Sequence, residues 1–215
     1  MNQTHLFPSI IIEEKTYEID NEKISKVILE REKTTSTRKL SNSGGWQSEL
    51  YPGPDTNPNV NFIGRGWAGI PVLEDDDAII EIIDFANKTF KEIYKEYYTE
   101  EGSFYIDTFW LNVNRYRDFN YNHNHGGHDW SFIYYIKIPV DCGNVVFVDP
   151  RIRRMGRQGL LAKNIKDNYF SHDQFYVPAE EGLIVFFPSY LEHYVQPNET
   201  KKPRISLSGN INLKI

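Results

Sequence analysis

Four side chains in two short stretches define the chemistry open to this chain. NYNHNHGGHDW, residues 120–130, holds His123 and His125 one residue apart. LEHYVQPNETKKPRIS, residues 191–206, holds His193 at the end of an apolar run and Arg204 eleven residues later. On an extended segment, side chains at i and i+2 point to one face, so two imidazoles can converge on a single ion. A third nitrogen from a distant strand completes one face of an octahedron and leaves the other positions open. Non-haem iron uses such an open face to hold a second molecule and oxygen. A zinc hydrolase is the competing use of three histidines, but it needs a general base beside an activated water. Arg204 favours the oxygenase. Its guanidinium can grip the distal carboxylate of a dicarboxylate cosubstrate by two parallel hydrogen bonds, with the Ser206 hydroxyl as a second donor.

The remaining histidines carry less. His5 lies near the start and His172 in the polar run SHDQ, and both read as surface residues. His128, beside Asp129 and after two glycines, fits either role. Asn112 and Asn114 share a strand face with Trp110. They can orient a cosubstrate or substrate through their amides, or serve as a satisfied polar pair at a strand end.

These residues need elements to position them. LFPSIII, residues 6–12, reads as a strand. Asp20 suits the N-cap of a helix over NEKISKVILEREK, with Ile24, Val27 and Ile28 on one stripe. Residues 35–59 are rich in Ser, Gly, Pro and Asn and read as a long loop anchored by Trp46. A second helix is expected over 74–98. Asp75, Asp76 and Asp77 complement its dipole, and Ile79, Ile82, Ile83, Ala86, Phe90, Ile93 and Tyr97 form its buried stripe. Beyond residue 102 the period changes to two. Strands are expected over 104–114, 119–125, 131–138, 144–148, 175–177, 183–187 and 204–213. Two helices followed by about seven short strands predict an α+β fold with a jelly-roll or cupin-like double sheet. Residues 1–102 would be the supporting region and 103–215 the core of one domain. In RISLSGNINL, Arg204, Ser206, Ser208, Asn210 and Asn212 share a face, and Ile205, Leu207, Ile211 and Leu213 share the other. Either this is an edge strand wet on one side, or its polar face lines an internal cavity; His193 favours the cavity.

Composition excludes several classes. A single cysteine, Cys142, rules out an internal disulfide framework and fits a reducing, cytoplasmic compartment. No apolar run is long enough to span a membrane, and MNQTHLFPS has no signal-peptide pattern. A net charge of −6 argues against general nucleic-acid binding. Arg151, Arg153, Arg154, Arg157, Lys163 and Lys166 form a local basic segment, either a solvated loop or a docking patch for an acidic partner.

His123-x-His125, SFIYYIKIP, VVFVDPR, GLIVFFPSYLEHYVQPN and PRISLSGNI together resemble the 2-oxoglutarate and Fe(II)-dependent oxygenases common in phages and marine bacteria, a family distantly similar to prolyl hydroxylases. LFPSI, GGWQS and WLNVN extend the resemblance upstream. It implies a double-stranded β-helix, with the N-terminal helices packed on one sheet and iron(II) at its mouth bound by His123 and His193, and the 2-oxoglutarate 5-carboxylate on Arg204 and Ser206. By similarity to prolyl hydroxylases, Tyr135 would add a hydrogen bond to that carboxylate; its alternative is a plain sheet aromatic. One position departs from the pattern. The second ligand is usually Asp or Glu, and here it is His125. His125 itself can ligate, Asp129 can supply the acid from the glycine-rich turn, or the position is left to water or an anion. The first is favoured, and a neutral triad alters the charge on the metal.

The expected activity is hydroxylation of an unactivated C–H bond with O2 and 2-oxoglutarate as cosubstrates, yielding succinate and CO2. By analogy with prolyl hydroxylases the substrate would be a protein or peptide residue. Two alternatives compete: a three-histidine cupin-type dioxygenase that uses no 2-oxoglutarate, and a non-catalytic phage structural module whose metal only stabilises the fold.

Overall fold

The structure is a computed structural model and describes residues 9–54, 76–99, 101–150 and 174–214. The basic segment from Arg151 to Lys166, His5, His172 and Asp75 lie outside the described residues.

Among the described residues, twelve strands form two antiparallel sheets. They are β1 (Ile12–Lys15), β2 (Asn42–Ser43), β3 (Trp46–Gln47), β4 (Tyr51–Pro52), β5 (Ser103–Asn114), β6 (Phe119–His123), β7 (Trp130–Lys137), β8 (Val145–Val148), β9 (Gln174–Val177), β10 (Leu183–Pro188), β11 (His193–Val195) and β12 (Arg204–Lys214). The larger sheet runs β1-β10-β7-β12-β5-β3, with β4 also on β5, and the smaller runs β2-β6-β11-β8-β9. Neither sheet closes on itself. This is the double-stranded β-helix arrangement with helices on one sheet.

Helix α1 (Asn21–Thr34) begins where Asp20 accepts the Lys23 backbone N–H at 3.0 Å, satisfying a donor that no helical carbonyl can reach. Helix α2 (Asp76–Tyr97) buries Ile79, Ile82, Ile83, Ala86, Phe90 and Ile93. Tyr97 leaves that stripe and is exposed. In the last turns Tyr94 does the packing, against Phe104 and Tyr98. Both helices cover the outer face of the larger sheet, meeting Leu111, Val113, Phe132, Tyr134, Phe186 and Leu207. Alternate residues point the other way: Ile133, Tyr135, Val185 and Phe187 meet Val145, Phe147 and Val177 of the smaller sheet. Period two divides the strands between two cores, one under the helices and one between the sheets.

Several expectations shift. Of the strand read over 6–12, residues 6–8 lie outside the described residues; the first described strand is Ile12–Lys15, paired with β10. The stretch read as one loop contributes β2, β3 and β4, so the N-terminal part extends both sheets. The 119–125 strand stops at His123. β12 is not an edge strand. It lies between β7 and β5, so its polar face is held inside the molecule. Among the described residues no helix is long and apolar enough to cross a membrane.

Candidate metal centre and cosubstrate pocket

His123 ends β6 and His193 begins β11, and the two are direct partners in the antiparallel pair. His125 follows the end of β6. One ligating atom from each of the three histidines lies within 4.8 Å of the others. Ring centroids are 4.4 Å apart for His123 and His193, 5.1 Å for His125 and His193, and 5.3 Å for His123 and His125.

The second nitrogen of each ring is occupied. Nδ1 of His123 lies 2.7 Å from the Tyr121 carbonyl, Nδ1 of His193 lies 2.9 Å from the Leu191 carbonyl, and Nδ1 of His125 lies 2.7 Å from Asn210 Oδ1. A carbonyl only accepts, so each Nδ1 carries the proton and each Nε2 keeps its lone pair for the shared point. Metal-binding histidines need this outer support. Burial pushes the His193 imidazole down to about 3 and the His125 imidazole to about 4, and lowers His123 as well. The three rings are therefore neutral at physiological pH, the state in which they ligate. Asp129 is not in this group of three, and its Oδ2 accepts the Leu213 backbone N–H at 2.8 Å. His128 sits apart, with Nδ1 3.2 Å from Asn212 Oδ1 and 3.7 Å from Asp107 Oδ2.

The histidines open into a cavity of about 710 Å3 between the sheets, whose far wall is the polar face of β12. Arg204, 2% exposed, lies in that wall. Its Nη1 donates to the Cys142 carbonyl at 2.7 Å and the Gln196 carbonyl at 3.2 Å. Its Nη2 has no partner among the described residues, and no carboxylate there pairs with the guanidinium. Burial lowers the Arg204 pKa, the mark of a cation held without a counter-ion. The Tyr135 hydroxyl, opposite Ser206 on β7, is also buried without a partner. Burial drives its pKa up, so the hydroxyl stays protonated and can donate. A carboxylate would satisfy both donors and neutralise the arginine. The cavity thus fits a metal at the histidines and a carboxylate at Arg204.

The structure brings His123, His125, His193, Tyr135, Arg204, Ser206 and Asn112 onto one cavity. Asn112 donates Nδ2 to Ser208 Oγ at 3.2 Å. Gln47 was not foreseen. It pairs with Asn112 across β3 and β5 and turns its amide into the same space, and only tertiary pairing places it there. Ser131 and Ser189, buried behind His125, were also missed, because isolated serines carry no signal in a sequence.

The fold recurs among solved oxygenases. A Pseudomonas putida prolyl-4-hydroxylase is 12% identical, covers 94% of this chain and 91% of its own, and superposes with a TM-score of 0.56. The viral collagen prolyl hydroxylase of Paramecium Bursaria Chlorella virus-1, solved with 2OG, is 10% identical with a TM-score of 0.55, covering 95% of this chain and 96% of its own. A Trichoplax adhaerens prolyl hydroxylase, in complex with a hypoxia inducible factor oxygen degradation domain peptide fragment, is 10% identical with a TM-score of 0.55, covering 94% and 83%. No curated protein sequence matches the chain. Residues 108–210, which carry the three histidines, Tyr135 and Arg204, match the model of the family described as "Putative 2OG-Fe(II) oxygenase", a family of enzymes that work with iron(II) and 2-oxoglutarate.

Proposed function

We propose that the protein is an Fe(II)/2-oxoglutarate-dependent dioxygenase that hydroxylates a residue of a peptide or protein. The carrying observation is one cavity that joins three converging neutral imidazoles to a buried arginine and a buried tyrosine, both with unused donors. His123, His125 and His193 would hold the iron. Arg204 Nη2 and the Tyr135 hydroxyl would bind the 5-carboxylate of 2-oxoglutarate, with Ser206 as a further donor and Asn112 beside it. When bound, iron and 2-oxoglutarate supply the oxidising chemistry: O2 is consumed, 2-oxoglutarate becomes succinate and CO2, and the second oxygen atom enters a substrate C–H bond. The chain orients these molecules and keeps water out.

Support for a peptide substrate comes from the rest of the cavity, which is larger than a five-carbon dicarboxylate needs. The Gln47 and Asn114 amides, 3% and 5% exposed, line it without side-chain hydrogen-bond partners among the described residues. Buried amides that both donate and accept complement the amides of a polypeptide. The Trichoplax relative holds a peptide.

Anaerobic titration with Fe(II) and then 2-oxoglutarate tests the reading. A weak visible charge-transfer band is expected only with both, and is lost in Arg204→Ala. Iron binding with no band under saturating 2-oxoglutarate overturns it in favour of a dioxygenase that binds substrate directly.

A further inference from the structure

His125 is the one histidine of the three that no strand aims. β6 ends at His123, and His125 enters the turn at Gly126 with its backbone N–H on the Ser189 carbonyl at 2.9 Å. His123 and His193 each lean on the backbone carbonyl two residues earlier in the chain. His125 leans on side chains instead. Nδ1 lies 2.7 Å from Asn210 Oδ1 and 2.9 Å from Ser131 Oγ. Ser131 Oγ is 3.0 Å from Asn210 Oδ1 and 2.7 Å from Ser189 Oγ, and Asn210 Nδ2 donates to Thr108 Oγ1 at 3.2 Å. Ser131 and Ser189 are fully buried and Asn210 is 6% exposed. Register explains the cluster: Asn210 of β12 lies between Ser131 of β7 and Thr108 of β5. Trp110 and Phe187 flank the ring, with centroids at 5.5 and 6.2 Å.

We propose that Asn210, backed by Ser131, is the positioning residue that makes His125 a metal ligand. This rests on the three-histidine metal centre proposed above. The Asn210 amide is itself oriented, because its nitrogen donates to Thr108 and its oxygen is left for the imidazole. That oxygen holds the proton on Nδ1 and stops rotation of the ring, so Nε2 faces His123 and His193. A carboxylate ligand at position 125 would need no tautomer fixed. A histidine there does, and β12 supplies the acceptor from its polar face.

Cobalt(II) titration, followed by visible absorbance, tests this with no turnover required. The series is wild type, Asn210→Asp, Asn210→Leu, Ser131→Ala and His125→Ala, each checked for folding by circular dichroism. Asn210→Asp keeps an acceptor in place and is expected to hold cobalt at least as tightly as wild type. Asn210→Leu is expected to lose about 10–100-fold in affinity, with a spectrum that approaches that of His125→Ala. Ser131→Ala removes one oxygen without adding bulk, and is expected to weaken binding several-fold whether or not the leucine variant folds. Unchanged affinity and spectrum in folded Asn210→Leu, or in Ser131→Ala where the leucine variant does not fold, overturn the inference while leaving the metal centre standing. A folded wild type that binds no cobalt removes the metal centre and this inference with it.

Discussion

A buried imidazole resists protonation because the charged ring has left water, and the three histidines share this state. His193 is the clearest: it is 2% exposed and faced by Phe187 and Phe147, and burial takes its pKa down to about 3. The folded chain therefore binds fewer protons than the unfolded chain below the ordinary imidazole value of 6.5. Stability then rises with pH across that window and is lost as pH falls from about 6.5 towards 3. Urea unfolding of the metal-free protein at pH 7 and pH 5 is expected to show the loss, with a smaller pH dependence in His193→Leu. Equal pH dependence in the two proteins would mean that His193 is not held neutral. His123 and His125 were legible in the sequence as an i, i+2 pair. Asp129, the acid weighed against His125 for the second ligand position, has its Oδ2 on the Leu213 backbone N–H.

At the scale of elements, the turn between β7 and β8 does more than reverse the chain. Cys142 offers its carbonyl to Arg204, and Gly143 follows at φ +80°, where a Cβ would lie 2.6 Å from the Gln196 carbonyl oxygen and 2.7 Å from that of Pro197. The Gln196 carbonyl is itself an Arg204 acceptor. Gly143→Ala is expected to cost about 1–3 kcal/mol in stability and also to weaken 2-oxoglutarate binding, measured by denaturation and by the charge-transfer titration. Loss of stability with binding intact would show that the arginine cradle does not depend on this turn. Helix α2 works at a distance from the cavity. Phe90 is fully buried among Phe104, Trp130 and Phe186, so Phe90→Ala is expected to cost about 3–5 kcal/mol in thermal or chemical unfolding. α2 was readable from its isoleucine stripe. β11, three residues long, was not, because three residues cannot display a period.

The whole molecule sets a cationic cavity inside an acidic chain. With a net charge of −6, its described cavity wall carries Lys39 and Arg204 and no carboxylate. Such a field draws a dianion inwards and favours its carboxylate at the arginine. The site is also shared between sheets, with His123 and His193 on the smaller and Arg204 and Tyr135 on the larger. A ligand that joins them ties the sheets together and stabilises the native state only. Anaerobic Fe(II) with 2-oxoglutarate at one hundred times its Kd is expected to add about 2.7 kcal/mol, or roughly 5–10 °C in Tm. In Arg204→Ala the 2-oxoglutarate increment should vanish and the iron increment remain. An equal rise in both proteins would place 2-oxoglutarate elsewhere.

What the sequence determined by itself is periodic and chemical. The alternation of RISLSGNINL assigned Arg204, Ser206, Ser208 and Asn210 to one face, and the residue types of His123, His125, His193 and Arg204 named the chemistry. Period two is a property of the backbone and can be read from one strand alone. Tertiary structure decided what lies opposite that face. β12 could have been an edge strand, and pairing with both β5 and β7 made it the inner wall of a cavity. Tertiary structure also aimed His125. The strand ends before it, so its direction comes from Ser131, Ser189 and Asn210, residues 6, 64 and 85 positions away in the chain. Hydrogen bonds over such separations exist only after the sheets have paired, and for that reason no local pattern announces them.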